Sequence, residues 1–231
     1  MNIKASVVIA AAGDSVRMGG IDKQLADIYG ASVLARTISV FESSEKVDEI
    51  IVVSKPKTLE FIKELIESGD VKKITHMVTG GSTRQQSVFN GIKYVKEDAE
   101  YIAVHDGARP LVTVEEVERC IDDAALYGAA ALGVKAKDTI KIVDSDGFVI
   151  ETPDRKNVYH AQTPQIFRAS LYRKAMEQAI REQKDYSDDC GMVEATGAKI
   201  YISAGSYENI KITTPTDIIS VKNVLDGRRD R

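Results

Sequence analysis

Short continuous apolar runs alternate along the chain with segments in which apolar side chains recur every three or four positions. The continuous runs are typical of strands buried on both faces, and the wider spacing is typical of helices that bury one face. Their alternation predicts βαβ units and an α/β fold, with a mainly parallel sheet and helices on both faces. The predicted strands are Ser6–Ala11, Ile50–Ser54, Ile74–Val78, Tyr101–His105 and Ala130–Val134.

The predicted helices are marked by apolar stripes and by signals in their first turns. Thr113 and Glu116 have the spacing of a capping box, and Thr214 before Pro215 is a typical helix start. These features predict one domain over residues 1–231. The stripes are Leu34, Ile38 and Phe41; Leu59, Ile62 and Ile66; and Val88, Ile92 and Val95.

One segment departs from this pattern. Residues Asp138–Glu151 (DTIKIVDSDGFVIE) alternate apolar and polar on both sides of a Ser-Asp-Gly turn, which predicts a β-hairpin. A lone hairpin is only marginally stable in water, so its apolar side chains need another surface to cover. That surface belongs either to the hairpin's own domain or to a second subunit. We favour the second alternative and predict that residues 137–160 form a dimerisation arm. The apolar side chains in question are Ile140, Ile142, Phe148 and Ile150.

Composition excludes several classes of protein without naming a function. The 231 residues include 31 Lys and Arg against 35 Asp and Glu, and the formal net charge of −4 argues against a nucleic-acid partner. No apolar run approaches the roughly 18 residues that a membrane span needs. Cys120 and Cys190 form neither a disulfide framework nor a zinc pattern, so a reducing, cytoplasmic setting is expected.

The segment Ala10–Gly20 (AAAGDSVRMGG) directly follows the first predicted strand. In doubly wound sheets, ligands bind beyond the carboxyl ends of the strands, and small residues there allow backbone N–H groups to approach them. The segment matches neither the P-loop nor the dinucleotide-binding pattern. Arg17 and Lys23 add two cations, which favours a polyphosphate ligand; a flexible, solvated turn is the alternative.

Further polar islands follow in a fixed order. With AAAG, RM and KQ of the first loop, they make the chain resemble the 2-C-methyl-D-erythritol 4-phosphate cytidylyltransferases of the non-mevalonate isoprenoid pathway. The resemblance extends from Ala10 to Asp217. The islands are Gly80–Ser87 (GGSTRQQS), Val104–Pro110 (VHDGARP), Lys137–Lys141 (KDTIK), Thr152–Arg155 (TPDR), Gln162–Phe167 (QTPQIF) and Asn209–Asp217 (NIKITTPTD).

The resemblance implies a Rossmann-like nucleotidyltransferase fold with a protruding β-hairpin arm, a homodimer, and dependence on Mg²⁺ or another divalent cation. It also implies an enzyme that transfers CMP from CTP to a sugar-alcohol phosphate and releases pyrophosphate. Two alternatives remain, namely a ribitol-5-phosphate cytidylyltransferase and a catalytically silent nucleotide-binding protein. Gly107-Ala108 and Asp154-Arg155 favour methylerythritol phosphate over ribitol phosphate. A silent binder would have no use for cations that stabilise a transition state.

The resemblance assigns roles residue by residue. Arg17 and Lys23 match the pair that stabilises the transition state, while Arg155 and Lys211 match the pair that positions the sugar phosphate. Asp106 is predicted to contact either a metal ion or the substrate. The expected nucleotide-binding residues are Ala11, Ala12, Gly13, Gly80, Gly81, Arg84 and Ser87. The residues expected on the sugar-phosphate side are Asp106, Arg109, Thr139, Thr163 and Ser187.

The chain departs from the family pattern around the first loop. Ser15 stands where a second glycine is usual, and Asp22 stands where proline often precedes the lysine. The spacing from Arg17 to Lys23 is also one residue shorter, which makes Lys23 the least secure assignment. Ser187 replaces the usual threonine but keeps the hydroxyl group.

The chemistry of this reaction fits the residues present. A phosphate monoester, with a second pKa of about 6, is already largely dianionic at neutral pH and needs no general base. The chain accordingly offers no Ser-His-Asp or Cys-His constellation. His105 is expected to be a packed residue at a strand end, and Cys190 a buried residue at the start of a helix.

Overall fold

The structure, a computed structural model, describes residues 3–20 and 22–229. Its strands are β1 (Ala5–Ala10), β2 (Asp27–Ile28), β3 (Ala31–Ser32), β4 (Val47–Ser54), β5 (Ile74–Thr79), β6 (Tyr101–Asp106), β7 (Ala129–Lys135), β8 (Ile142–Val143), β9 (Val149–Glu151), β10 (Tyr159–Arg168) and β11 (Tyr201–Ala204). Its α-helices are α1 (Val33–Ser43), α2 (Pro56–Glu67), α3 (Arg84–Ile92), α4 (Val114–Tyr127), α5 (Ala169–Glu182), α6 (Asp189–Glu194) and α7 (Pro215–Arg229). Single turns of 3₁₀-helix occur at Val16–Met18 and Arg155–Asn157.

A seven-stranded sheet in the order β11-β7-β10-β6-β1-β4-β5 forms the centre of the molecule. Its pairs are parallel except where β10 runs antiparallel to both β6 and β7. From β1 the chain passes to β4 and β5 on one side, and then returns to β6 on the other side. The carboxyl ends of β1 and β6 therefore flank a switch point, where ligands bind in open α/β sheets. Ala10 and Asp106 are paired at that point.

Helices cover both faces of the sheet. One buried cluster includes Phe41 of α1, Ile62 of α2 and Val117 of α4, and a second includes Ile92 of α3 and Tyr172 of α5. Each of these five helices places apolar side chains against the sheet, as the spacing predicts for α1, α2, α3 and α4. The α/β fold with helices on both faces is therefore confirmed.

The structure also contains elements that the sequence pattern did not predict. Every predicted strand overlaps an observed one, but β10, β11 and α5 were not anticipated. The two cysteines are free and buried, as expected for Cys190 at the start of α6. Among the described helices, none combines the length and the apolar character that crossing a membrane requires.

The predicted hairpin is present as β8 and β9, which, among the described strands, pair only with each other. Its apolar side chains extend into solvent, with Phe148 73% and Ile150 66% exposed. Ile142 is also exposed, and Ile140 is half-buried. The hairpin therefore leaves an apolar surface uncovered in the single chain, and the dimerisation arm at residues 137–160 stays a prediction.

Candidate active site

A cavity of about 370 Å³ lies at the carboxyl ends of β1 and β6. It collects residues from three of the polar islands and from the loop after β1. Most of the residues predicted to bind the nucleotide, and three of the predicted cations, therefore lie together. The predicted site residues that line it are Ala12, Gly13, Lys23, Gly81, Arg84, Ser87, Asp106 and Lys211.

The loop after β1 turns sharply through left-handed backbone conformations. Ser15 has φ 52°, and Gly19 and Gly20 have φ 60° and 90°. The resemblance predicts glycine at the position of Ser15, and glycine adopts this conformation without steric cost. The departure seen in the sequence thus falls on a residue whose backbone strains any side chain with a Cβ.

The three residues of this loop that were predicted to bind the nucleotide through their backbone differ in their access to the cavity. Ala12 and Gly13 line the cavity, whereas Ala11 is buried. The Ala11 N–H donates to the carbonyl oxygen of Val53 at 2.7 Å, and its own carbonyl accepts from the Ser54 hydroxyl. Since its N–H is already used, Ala11 fixes the base of the loop, and Ala12 and Gly13 provide the exposed backbone.

Hydrogen bonds hold the shortened segment before Lys23. The Asp22 carboxylate accepts from the Gln24 N–H at 3.0 Å and from the Thr58 hydroxyl at 3.3 Å. The Lys23 N–H makes a long contact of 3.4 Å with Ser15 Oγ. Asp22 therefore rigidifies the segment by side-chain contacts where proline would do so covalently.

Lys23 lies in an environment that disfavours its charge. Burial lowers the pKa of Lys23, and the nearby charges of Lys211 and Arg17 lower it further, although Asp106 acts in the opposite direction. An anionic ligand in the cavity would relieve this repulsion. Lys23, the least secure assignment, therefore does line the cavity with a basic side chain.

The second loop, between β5 and α3, packs tightly against the first. A Cβ added to Gly80 would lie 2.3 Å from the Ala12 Cβ, so the two loops approach at a distance that only glycine permits. Ser87 Oγ accepts from the Gly81 N–H at 3.0 Å and donates to the Thr83 carbonyl at 2.8 Å. Ser87 thereby shapes the loop that precedes the N-terminus of α3, where backbone N–H groups favour anions.

Asp106 is the centre of a charge cluster. Its carboxylate lies 2.7 Å from Lys211 Nζ, 3.3 Å from Arg84 Nε and 3.5 Å from Arg109 Nε. Burial alone would raise the pKa of Asp106, but the charges of Arg84, Lys211 and Arg109 outweigh it and hold the pKa well below its usual range. One carboxylate thus neutralises only part of a strongly positive group.

Arg84 is anchored by two residues that sequence reasoning missed. Its Nη1 donates to Asp189 at 2.8 Å, and the Tyr172 hydroxyl donates to the same carboxylate at 2.6 Å. Sequence patterns singled out Cys190 but not its neighbour Asp189. One sequence signal was available: Asp188 is a residue type that commonly caps a helix N-terminus, and a helix beginning there has Asp189 in its first turn.

A smaller cavity of about 100 Å³ adjoins the first and shares three residues with it, Arg84, Asp106 and Lys211. Three of the residues predicted for the sugar-phosphate side, Arg109, Thr163 and Ser187, also line it. The shared charges connect the two cavities into one site.

Lys211 reaches both cavities because of its place in an alternating segment. Ile212 is buried, and its N–H donates to the Ala108 carbonyl at 2.8 Å. Ile210 packs against the same apolar cluster as Ile212. In an extended chain, alternate residues point to opposite sides, so Lys211 faces Asp106.

Five predicted site residues line neither cavity. Ala11 and Gly80 shape the two loops instead, and the other three are exposed. Arg17 is exposed on the 3₁₀ turn, although its charge acts on Lys23. Arg155 and Thr139 are exposed at the base of the hairpin, where Arg155 Nη1 donates to the Lys137 carbonyl at 2.9 Å. Gln24 was missed instead: it lines the larger cavity with a buried Oε1 that has no partner within the described residues.

The side chains of the site could hold a divalent cation only together with the phosphates of a substrate. Within residues 3–20 and 22–229, no three His, Cys, Asp or Glu side chains converge as a metal cage. Mg²⁺ is commonly held by one or two carboxylates together with substrate phosphates. Asp106 can supply one such carboxylate, but three cations already surround it. The residues therefore fit a cation that arrives with a triphosphate.

Comparisons with known proteins agree with this geometry. The family model described as IspD, 2-C-methyl-D-erythritol 4-phosphate cytidylyltransferase, matches residues 5–227. A protein of that name from Caldanaerobacter subterraneus subsp. tengcongensis is 45% identical over 221 residues, covering 95% of this chain and 96% of the relative. One from Clostridium botulinum (strain Loch Maree / Type A3) is 41% identical over 224 residues, covering 96% and 98%.

Solved structures show the same likeness. The crystal structure of 4-diphosphocytidyl-2C-methyl-D-erythritol synthase from Anaerococcus prevotii has a TM-score of 0.87 and 32% identity, covering 98% of this chain and 100% of that one. The cytidylyltransferase of Thermus thermophilus has a TM-score of 0.76 and 26% identity, covering 96% and 98%. The resemblance found in the sequence is therefore confirmed, and the chain belongs to the 2-C-methyl-D-erythritol 4-phosphate cytidylyltransferase family.

Proposed function

We propose that this protein transfers CMP from CTP to 2-C-methyl-D-erythritol 4-phosphate, giving 4-diphosphocytidyl-2-C-methyl-D-erythritol and pyrophosphate for isoprenoid biosynthesis. Membership of the family supports this reaction. The observation that carries it is the junction of two cavities at Arg84, Asp106 and Lys211. A junction of this kind brings two phosphorylated substrates to one cluster of cations.

The reaction requires charge stabilisation more than proton transfer. A phosphate oxygen of the sugar alcohol attacks the α-phosphorus of CTP, a new P–O bond forms, and the bond from the α-phosphorus to the bridging oxygen of pyrophosphate breaks. The nucleophile is already largely dianionic at neutral pH, so no base has to remove a proton. Lys23 and Arg17 stabilise the negative charge that develops on the α-phosphate and on the leaving group.

The larger cavity holds the nucleotide. Ala12 and Gly13 present backbone groups from the first loop, and Gly81 of the second loop lines the same cavity without a side chain. Arg84 lies at the start of α3, where Asp189 fixes its side chain, and it contributes a positive charge to the binding of the phosphates. Ser87 maintains the second loop in the conformation that this binding needs.

The smaller cavity receives the sugar phosphate. Lys211 and Arg109 contact its phosphate, while Thr163 and Ser187 offer hydroxyl groups to the polyol. Arg155 and Thr139 are exposed on the arm and do not line the cavities of their own chain. We therefore infer a homodimer in which the arm of one subunit supplies these two residues to the site of the other.

A divalent cation, Mg²⁺ by preference, accompanies the triphosphate. When bound, it lowers the negative charge of the phosphates and so reduces their repulsion of the incoming nucleophile. Asp106 is the carboxylate that would contact it, since it lines both cavities. The cytoplasmic setting also stays a prediction.

The test is release of pyrophosphate from CTP with each sugar phosphate in turn. Release with 2-C-methyl-D-erythritol 4-phosphate is expected, at a kcat/KM at least tenfold above that with ribitol 5-phosphate. A reversed preference would favour the ribitol enzyme. Absence of release with both substrates, from a folded protein that still binds CTP, would identify a silent binder. Repeating the assay with ATP, GTP and UTP establishes the preference for cytosine.

A further inference from the structure

His105 is a buried histidine that the proposed chemistry does not use. It precedes Asp106 at the end of β6, has no exposed surface, and packs edge-on against Phe41 with ring centroids 4.8 Å apart. Both ring nitrogens have partners. Nε2 lies 3.3 Å from the Arg109 carbonyl oxygen, and Nδ1 lies 3.1 Å from Thr163 Oγ1.

These partners determine which nitrogen carries the proton. His105 has no exposed surface, and the partners of its two ring nitrogens are a carbonyl and a hydroxyl, neither of which balances a charge, so the ring is neutral and has a single N–H. The Arg109 carbonyl can only accept a hydrogen bond, and it therefore takes the Nε2–H. Nδ1 is left as an acceptor, and the Thr163 hydroxyl must donate its proton to it.

The polarity of Thr163 follows from this arrangement. Its hydroxyl has one proton, which goes to His105, and two lone pairs, one of which accepts the Asp106 N–H at 3.0 Å. One lone pair remains, and Thr163 lines the smaller cavity. Towards a ligand there, Thr163 can accept a hydrogen bond but cannot donate one. A phosphate dianion has no proton to offer, whereas a polyol hydroxyl has.

We propose that His105 is a positioning residue that orients the Thr163 hydroxyl as an acceptor, so that Thr163 selects a hydroxyl group of the sugar alcohol and not its phosphate. The inference rests on the proposed function, because it assigns the smaller cavity to the sugar phosphate. It adds a source of specificity that distinguishes polyols from other phosphate monoesters of similar charge.

Steady-state kinetics test the role of the ring. His105→Phe keeps the aromatic packing but removes both hydrogen bonds, and it should raise the KM for 2-C-methyl-D-erythritol 4-phosphate by about tenfold, the size of one hydrogen bond. The KM for CTP should change less than twofold. An unchanged KM for the sugar phosphate in a folded, active His105→Phe variant would overturn the proposal. His76→Phe is the matched control, since His76 is exposed on β5, and it should leave both constants unchanged.

Two further variants separate the two hydrogen bonds. An asparagine amide reaches the position of Nδ1, whereas a glutamine amide reaches that of Nε2. His105→Asn should therefore restore the KM for the sugar phosphate more completely than His105→Gln. Restoration by Gln alone would assign the effect to the Arg109 carbonyl and contradict the proposal. In a Thr163→Val background, His105→Phe should add less than a twofold further change, because its effect passes through Thr163.

The imidazole nitrogen shifts, measured by NMR, test the inference independently of catalysis. The neutral Nε2–H tautomer of His105 is expected at neutral pH. An Nδ1–H tautomer, or a ring protonated on both nitrogens, would overturn the inference even in a fully active enzyme. Failure of the proposed function would give a different result. The wild-type protein would then release no pyrophosphate with methylerythritol phosphate, although His105 would still have the Nε2–H tautomer.

Discussion

Lys23 combines partial burial with two neighbouring cations, and this lowers its pKa from the ordinary value of 10.5. CTP binds the protonated form, so kcat/KM for CTP is full below the pKa of the free enzyme and is lost as pH rises through it. We expect this decline to be centred below pH 10.5. Lys23→Arg should move it to higher pH, because arginine stays protonated. The pH profiles of both proteins provide the measurement, and coincident alkaline limbs would contradict the assignment.

Arg17 is exposed in the structure, yet its charge acts on Lys23. If Arg17 stabilises the transition state, Arg17→Met should lower kcat by about 10²–10³, as the loss of one such donor does. The KM for each substrate should change far less. Arg181→Met, at the exposed end of α5, is the control and should retain full turnover. Near-normal turnover in a folded Arg17→Met protein would exclude the role.

Sequence patterns located most of the site but not its supports. Lys23, Asp106 and Lys211 lie in recognisable motifs next to strand ends, and the structure brings them into one cavity. Asp189 could not be assigned, because its contact with Arg84 spans 105 positions of the chain, and Tyr172 supports Arg84 only through Asp189. A spacing rule describes neighbours on one element, and it contains no information about such tertiary partners.

The contact between the two loops is a property of whole elements. Gly80 directly follows β5. A Cβ at this position would lie 2.3 Å from the Ala12 Cβ and 3.0 Å from Ser87 Oγ. Because the Ala12 Cβ cannot rotate away, Gly80→Ala must displace one loop. We expect the KM for CTP to rise at least tenfold. Titration of CTP binding by calorimetry provides a second measurement.

Gly227→Ala is the matched control for this substitution. Gly227 lies within α7, where an added Cβ meets nothing within 4 Å. Alanine favours a helix by roughly 0.5–1 kcal/mol relative to glycine, so stability should rise slightly and the KM for CTP should not change. Equal kinetic effects of the two substitutions would show that Gly80 does not determine the loop contact.

β10 is one of the strands that the sequence pattern did not predict, and its residues show why. β10 contains Gln162, Thr163, Pro164 and Gln165, which are polar or unable to donate to a sheet ladder. They are buried nonetheless, and partners elsewhere satisfy most of their polar atoms: the Gln165 amide donates to Asp188 and the Gln162 amide to the Ser206 carbonyl, both at 2.8 Å. Tertiary hydrogen bonds here override the local preference. The apolar strands, by contrast, were predictable because burial on both faces is recorded in their composition.

At the scale of the whole molecule, net charge and local charge differ. The chain carries a formal charge of −4, but Arg84, Arg109 and Lys211 surround a single carboxylate, and Lys23 lies close by. Net charge excludes a long polyanion spread over the surface. It places no limit on a small, concave group of cations, which is what a nucleoside triphosphate requires.

The exposed hairpin makes a prediction about how two chains share one site. Arg17 belongs to the site of its own chain, whereas Arg155, on the arm, is proposed to act in the site of the other subunit. A subunit with Arg17→Met and a subunit with Arg155→Ala should therefore form a mixed dimer in which one site has both arginines and the other has neither. We expect each variant homodimer to be nearly inactive and the mixed dimer to recover about half of the wild-type kcat.

Co-expression with two different affinity tags isolates the mixed dimer for this measurement. Arg17→Met paired with Lys23→Met is the control, because both residues act within their own chain and no site of that dimer would be intact. If Arg155 acts in its own chain, the first mixed dimer has one defect in each site and stays inactive. Recovery in the first pair alone requires an arm that crosses to the partner, since no arrangement within one chain can restore an intact site there.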